Sequence, residues 1–310
     1  MSGPTEQAML RRSIAATIVL AATGAGIGLA AGSSAILFDG VYGLIDAAMT
    51  ALALLVARLI AASNAADAVG RQLSRRFTFG FWHLEPIVLG LNGMLLSAAA
   101  IYAGLDAVRA ILAGGLTLAL DLAMAYAGLA TAIDLAMAIW TTRANRTIRS
   151  DLVALDARAW AMSAALSGAL FVAFVIGAGL PGTRHAWLLP YVDPGALLLI
   201  CLVVAPVPFG TIRRALSQIL LVTPQDLRDE VDRIAAAVVA EEGFVAHHAF
   251  VARVGRGIQI ELNFIVPRGR PPQPLEAWDA LRDRIGTAFG RDGPDLWLTI
   301  VFTTDPEWAW

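Results

Sequence analysis

Lysine is missing altogether: all 23 basic residues are arginine, set against 25 acidic ones, for a net charge of −2. Charge of either sign is scarce. Only 15% of the 310 residues are charged, 57% are hydrophobic and the mean hydropathy is +0.66. That balance excludes an ordinary soluble domain and marks a polytopic membrane protein, whose first partner is the lipid bilayer. The one cysteine, Cys201, excludes an internal disulfide framework and a thiolate metal cluster. It lies in an apolar stretch and reads as packing. Arg11 and Arg12 precede a long apolar segment without the short core and cleavage site of a secretory signal, so this segment reads as a retained first span. The chain has no internal repeat and no low-complexity tract.

Six segments approach the roughly 20 residues that cross a hydrocarbon core. They are about 12–32, 35–61, 85–112, 117–141, 152–179 and 189–212. Two connections, 32–34 and 114–116, carry no charge. Arginine marks the others: Arg71, Arg75 and Arg76 after the second span, Arg143, Arg146 and Arg149 after the fourth, Arg213 and Arg214 after the sixth. By the positive-inside rule both termini and these loops are cytoplasmic, which implies a cell (inner) membrane protein. Arg184 alone falls in an outer loop.

After Leu221 the composition shifts, so the expected division is a membrane domain over 1–221 and a cytoplasmic domain over 222–310. Residues 224–242 have a helix-start proline, an amphipathic pattern and a terminating Gly243. Residues 246–254, Ile258 to Phe264 and Leu296 to Thr303 read as strands, and 274–290 as a second helix. The order αββαβ predicts a small ferredoxin-like α+β domain with its helices on one face of the sheet.

The stretch Ala35 to Ala61 is long enough to cross a bilayer, yet it carries Asp39, Tyr42 and Asp46 at spacings that share one helix face. A carboxylate at the middle of a span costs roughly 2.5 to 3.5 kcal/mol, so this stripe must face protein, water or an ion.

Four features in order resemble the cation diffusion facilitator family: the FDGVYGLID stretch of the second span, Phe79 to Glu85 (FGFWHLE) before the third, Tyr191-Val192-Asp193-Pro194 at the sixth, and the α+β domain at the end. The resemblance implies proton-coupled export of a divalent cation by a homodimer whose cytoplasmic domains pair. No prosthetic group and no nucleic-acid partner are expected. Members usually carry His or Asp where Tyr42 stands, and a phenol is a poor ligand at neutral pH unless a metal or neighbour assists it. In the fifth span the nearest match to the family's ligand, three residues and acid is Asp156-Ala-Arg-Ala-Trp160; a register shifted by two places Ala154 and Arg158 there instead. Phe77 and Phe81 stand where a histidine-containing loop site would be.

Depth brings Asp46 and Asp156 to one level. Asp46 lies about 20 Å below the outer end of its helix and Asp156 about 10 Å above Arg149, which sum to the core thickness of about 30 Å. With Asp39 and the Tyr42 hydroxyl they form a candidate metal set, to which Asn92 and Asp134 are possible additional cavity oxygens. Carboxylates suit manganese or ferrous iron without excluding zinc or cobalt. His83 and Glu85 sit at the cytoplasmic edge as gating candidates, with Glu85 placed to neutralise Arg75 or Arg76. In the cytoplasmic domain His248, Glu261 and Asp305, with His247, are weaker metal candidates. One alternative is a membrane enzyme of the CDP-alcohol phosphotransferase type, although Asp39-Gly40 lacks the Ala-Arg that should follow. The other is a non-transporting metal sensor or scaffold.

Overall fold

The computed structural model describes residues 4–63, 75–78, 80–148, 151–290, 293 and 295–310. Arg71, Phe79 and Arg149, used above for topology and motif, lie outside these residues. Among the described residues six helical segments are long and apolar enough to cross a membrane: Met9–Ala31, Ser34–Ser63, Leu84–Leu112, Leu120–Thr147, Asp156–Ala178 and Ala186–Ile219. The helices are α1 (Pro4–Ala31), α2 (Ser34–Ser63), α3 (Leu84–Leu112), α4 (Leu120–Ile148) and α5 (Asp151–Ala178). The sixth span begins with a 3-10 turn, Ala186–Tyr191, and continues as α6 (Val192–Val204) and α7 (Phe209–Ile219). Pro206 and Pro208 fall between α6 and α7; neither can donate to a helical ladder, which divides a span that reads as one piece in the sequence.

By its packing the chain forms two compact units, Met1–Ala51 with Leu91–Gly210, and Leu52–Gly90 with Thr211–Trp310. In the first, large apolar side chains such as Val19, Leu29, Tyr102, Leu112 and Leu199 point outward. The interior is lined by alanines, including Ala100, Ala107, Ala123 and Ala127, around Ile36, Phe38, Phe174 and Leu197. Cys201 is buried in this core, as expected of a packing residue. Lipid provides no hydrophobic drive between spans, so small residues and hydrogen bonds must hold them. A Cβ on Gly28 of α1 would overlap the backbone of Leu37, and one on Gly40 of α2 would overlap that of Ala25. The two helices therefore cross nearly backbone to backbone. At their junction Ser33 donates to Asp193 Oδ1 at 2.5 Å and the Ser34 amide donates to Oδ2 at 2.9 Å, so Asp193 at the start of α6 caps α2.

In the second unit α8 (Gln225–Glu242) ends at Gly243, whose φ of 66° is left-handed. Next come β1 (Ala246–Val254), β2 (Gly257–Ile265), α9 (Leu275–Ala288) and β3 (Leu296–Thr303). The order αββαβ is the expected one. The sheet runs β1-β2-β3, with β1 and β2 antiparallel and β2 and β3 parallel. Val251, Ile260, Leu262, Phe264 and Ile300 pack against Leu227, Val231 and Ala235 of α8 and Leu281 and Ile285 of α9.

Arg270 ties this domain together. Its Nη2 donates to Glu242 Oε2 at 2.9 Å, its Nη1 donates to the Glu242 carbonyl at 2.9 Å, and its guanidinium lies over the rings of Phe244 and Trp278. Hydrogen bonding from Arg270, helped by Arg284 against the opposing effect of burial, holds the Glu242 carboxyl below its ordinary value. A depressed acid stabilises the fold above its unfolded-state value of 4.5 and loses that contribution as pH falls through the folded value. Arg270→Ala should therefore destabilise the domain by roughly 1 to 2 kcal/mol at neutral pH. The deficit should shrink in acid below pH 4.5. Unfolding followed by Trp278 fluorescence checks this, and a deficit that does not change with pH would remove Glu242 as the cause.

Candidate metal site

The stripe on α2 is real, but its members meet different neighbours. Asp46 has the Asn92 side chain of α3 within hydrogen-bonding reach, and Tyr42 lies one turn away on the same helix. Tyr42 packs on Phe38 with ring centroids 5.4 Å apart. Asp39 comes instead beside Asp134 of α4, with Tyr126 close to both. The Tyr126 hydroxyl donates to the Leu20 carbonyl of α1 at 3.0 Å.

On α5, Asp156 Oδ1 accepts from Ser13 of α1 at 2.7 Å. The same Ser13 oxygen accepts from Trp160 Nε1 at 2.7 Å. Asp156 and Trp160 thus lie one turn apart on the face that meets α1, while Arg158 is exposed. Further along α5, Ser163 and Ser167 donate to Asp134 Oδ2 at 3.1 and 2.8 Å. Ser13, Ser163 and Ser167 did not stand out in the sequence. A hydroxyl in an apolar span is cheap and common, and the only signal was the four-residue spacing of Ser163 and Ser167.

Buried polar atoms are nearly always hydrogen-bonded, so the exceptions need explaining. Among the described residues three buried side-chain oxygens lack a partner: Asn92 Oδ1, Asp134 Oδ1 and Asp156 Oδ2. All three belong to residues drawn into the candidate set from the sequence. No group of three His, Cys, Asp or Glu side chains is gathered closely enough to hold a metal among the described residues. Any coordination sphere in this arrangement must therefore draw on amide, hydroxyl or water oxygens as well as carboxylates.

Residues 10–220 match the family described as the cation efflux transmembrane domain. The chain belongs to the cation efflux family, the cation diffusion facilitators. Among curated proteins no relative matches it. Membership makes this an integral membrane transporter of metal cations. The phosphotransferase alternative falls with it, because this is a family of transporters rather than enzymes.

The remaining candidates of this cation efflux protein have other company. Glu85 Oε2 accepts from the backbone amide of Arg256 at 3.1 Å and from its Nε at 3.3 Å. Its partner is therefore the β1–β2 turn; Arg75 and Arg76, expected to pair with it, are exposed. His83 is exposed. The His248 ring lies 4.0 Å from that of Trp310, and His247 Nε2 stands 3.5 Å from Asp232. Glu261 accepts from Gln259 at 3.2 Å, and Asp305 caps the terminal 3-10 turn by accepting from the Glu307 amide. The Phe77 and Phe81 rings meet at a tilt of 45° with centroids 4.7 Å apart.

The two faces of α5 give opposite expectations for transport. Asp156→Ala should lose metal-dependent flux, whereas Arg158→Ala should keep most of it. Ser13→Ala, which frees the Asp156 carboxylate to turn, should lower flux with a smaller effect than losing the acid. Vesicle uptake assays on the three variants decide the matter, and the reverse order for Asp156 and Arg158 would mean that the working face of α5 is the other one.

Proposed function

We propose that the chain exports a divalent metal cation of the manganese, iron, zinc or cobalt class in exchange for protons, and that Asp46 and Asp156 carry the cation. Asn92 completes the site from α3, with Tyr42 along the same stripe as a lesser contributor. The observation that supports this reading is the pair of idle oxygens. Asp156 Oδ2 and Asn92 Oδ1 are shut from solvent and accept nothing, and Asn92 stands against Asp46. Among the described residues neither acid has an arginine paired with it, so a cation is the natural counter-charge. Proton exchange follows from the same chemistry, since a dication held by two carboxylates is released when both take protons.

The Asp46→Asn variant tests the reading. It should fold and reach the membrane while its transport in inverted vesicles, measured across a metal panel with and without a pH gradient, falls below about one-tenth of wild type, a loss of more than about 1.4 kcal/mol at the transport barrier. Flux that survives the substitution would exclude Asp46, and wild-type vesicles without flux would favour the sensor reading.

The same proposal includes cytoplasmic termini, a membrane domain over 1–221, and a cytoplasmic domain over 222–310 that pairs across a two-fold axis. On the sheet face opposite α8 and α9, register brings Phe250 opposite Glu261, Trp297 opposite Gln259 and Val301 opposite Asn263. Phe250, Trp297 and Val301 are all exposed. Exposed apolar side chains on one sheet face are a natural self-complementary surface. The segment 222–310 expressed alone should sediment as a dimer; a folded monomer at tens of micromolar would exclude this domain as the main dimer contact.

A further inference from the structure

We propose that Asp39 and Asp134, with the hydroxyls of Ser163 and Ser167, form a second cation site within the membrane domain, suited to a hard divalent cation such as Mn2+ and separate from Asp46 and Asp156. The site lies among α2, α4 and α5. It goes beyond transport through Asp46 and Asp156 and does not depend on it.

Asp134 is the centre of the argument. It is 1% exposed in the middle of α4, and both serines reach the same oxygen, Oδ2. Oδ1 is buried and accepts nothing. A helix-packing role would need only the serine contacts and would be served as well by a neutral side chain. The neighbour that approaches from α2 is instead a second carboxylate, Asp39. Two acids near enough to sense each other's charge in an apolar interior repel, and among the described residues neither is ion-paired. Packing alone gives no reason for the second acid; a bound dication gives one.

The chemistry of the donors selects the class of ion. Carboxylates and hydroxyls are hard oxygen ligands, and no thiolate or imidazole is among them, which favours manganese or magnesium over copper or zinc. Two carboxylates neutralise a dication without residual charge in the bilayer. Tyr126 lies near both acids, its hydroxyl anchored to the Leu20 carbonyl of α1.

The test uses the full-length chain in detergent, with Mn2+ as the probe and the paramagnetic resonance signal of free Mn2+ as the readout. Asp46→Asn combined with Asp156→Asn silences the proposed transport positions. That background should still bind Mn2+ stoichiometrically, and adding Asp134→Asn, which keeps the shape and the serine contact, should abolish the binding. Adding Ser167→Ala instead should weaken it about tenfold or more; this variant decides the question if Asp134→Asn elutes as aggregate. Excess Na+ should leave Mn2+ bound. The inference is overturned by a background that binds no Mn2+, by binding that survives Asp134→Asn or is unchanged in Ser167→Ala, or by displacement with Na+. Wild-type flux, measured in parallel, judges the transport reading separately, because none of these binding results requires transport.

Discussion

An ionisable side chain inside a hydrocarbon layer must find a partner, and in this protein four acids of the spans find neutral ones on other helices. Asp193 takes Ser33 and the start of α2, Asp156 takes Ser13 of α1, Asp134 takes Ser163 and Ser167 of α5, and Asp46 has Asn92 of α3. These links fix which helix faces which. They also leave the acids without a compensating charge, because a hydroxyl or amide orients a carboxylate but does not neutralise it. Arginine would have done both, and would have filled the place that a transported cation needs.

The first helix is the least conspicuous in sequence and among the most connected in structure. Ser13 meets α5, the Leu20 carbonyl meets α4 through Tyr126, Gly28 and Ala25 meet α2, and the Ala31 carbonyl accepts from Ala119 ahead of α4. Glycine and alanine let these backbones approach until hydrogen bonds to main-chain carbonyls become possible. A helix of this kind positions the acids of its neighbours without contributing one within the bilayer.

Hydrophobic length and period carried the spans, the αββαβ order and the shared face of Asp39, Tyr42 and Asp46, because these are properties of one segment at a time. They could not supply partners. Period places Asp39 and Asp46 on one face, yet seven residues along a helix are about 10 Å, enough for each to meet a different span. Glu85 reads as a neighbour of Arg75 and Arg76, whereas its partner Arg256 lies 171 residues away on the β1–β2 turn. The parallel pairing of β3 with β2 is equally invisible in the strands themselves. In the fifth span the sequence allowed two registers, and it gave no sign of Ser13, whose hydroxyl bonds both Asp156 and Trp160.

Hydrogen bonding separates the capping acid from those proposed to bind a cation. Both oxygens of Asp193 are bonded, one to the Ser33 hydroxyl and one to the Ser34 amide, and its place is at the capped end of a helix. Neither of its oxygens is left without a donor. Asp134 and Asp156 each spend one oxygen on serine and keep the other buried and idle. An idle oxygen costs of order 1 to 3 kcal/mol in an apolar interior. In the sites proposed above the serines hold each carboxylate in place and leave its second oxygen for a cation. A fully bonded carboxylate would have to break a helix contact to bind, and a wholly free one would not be oriented to receive; half-satisfaction meets both demands.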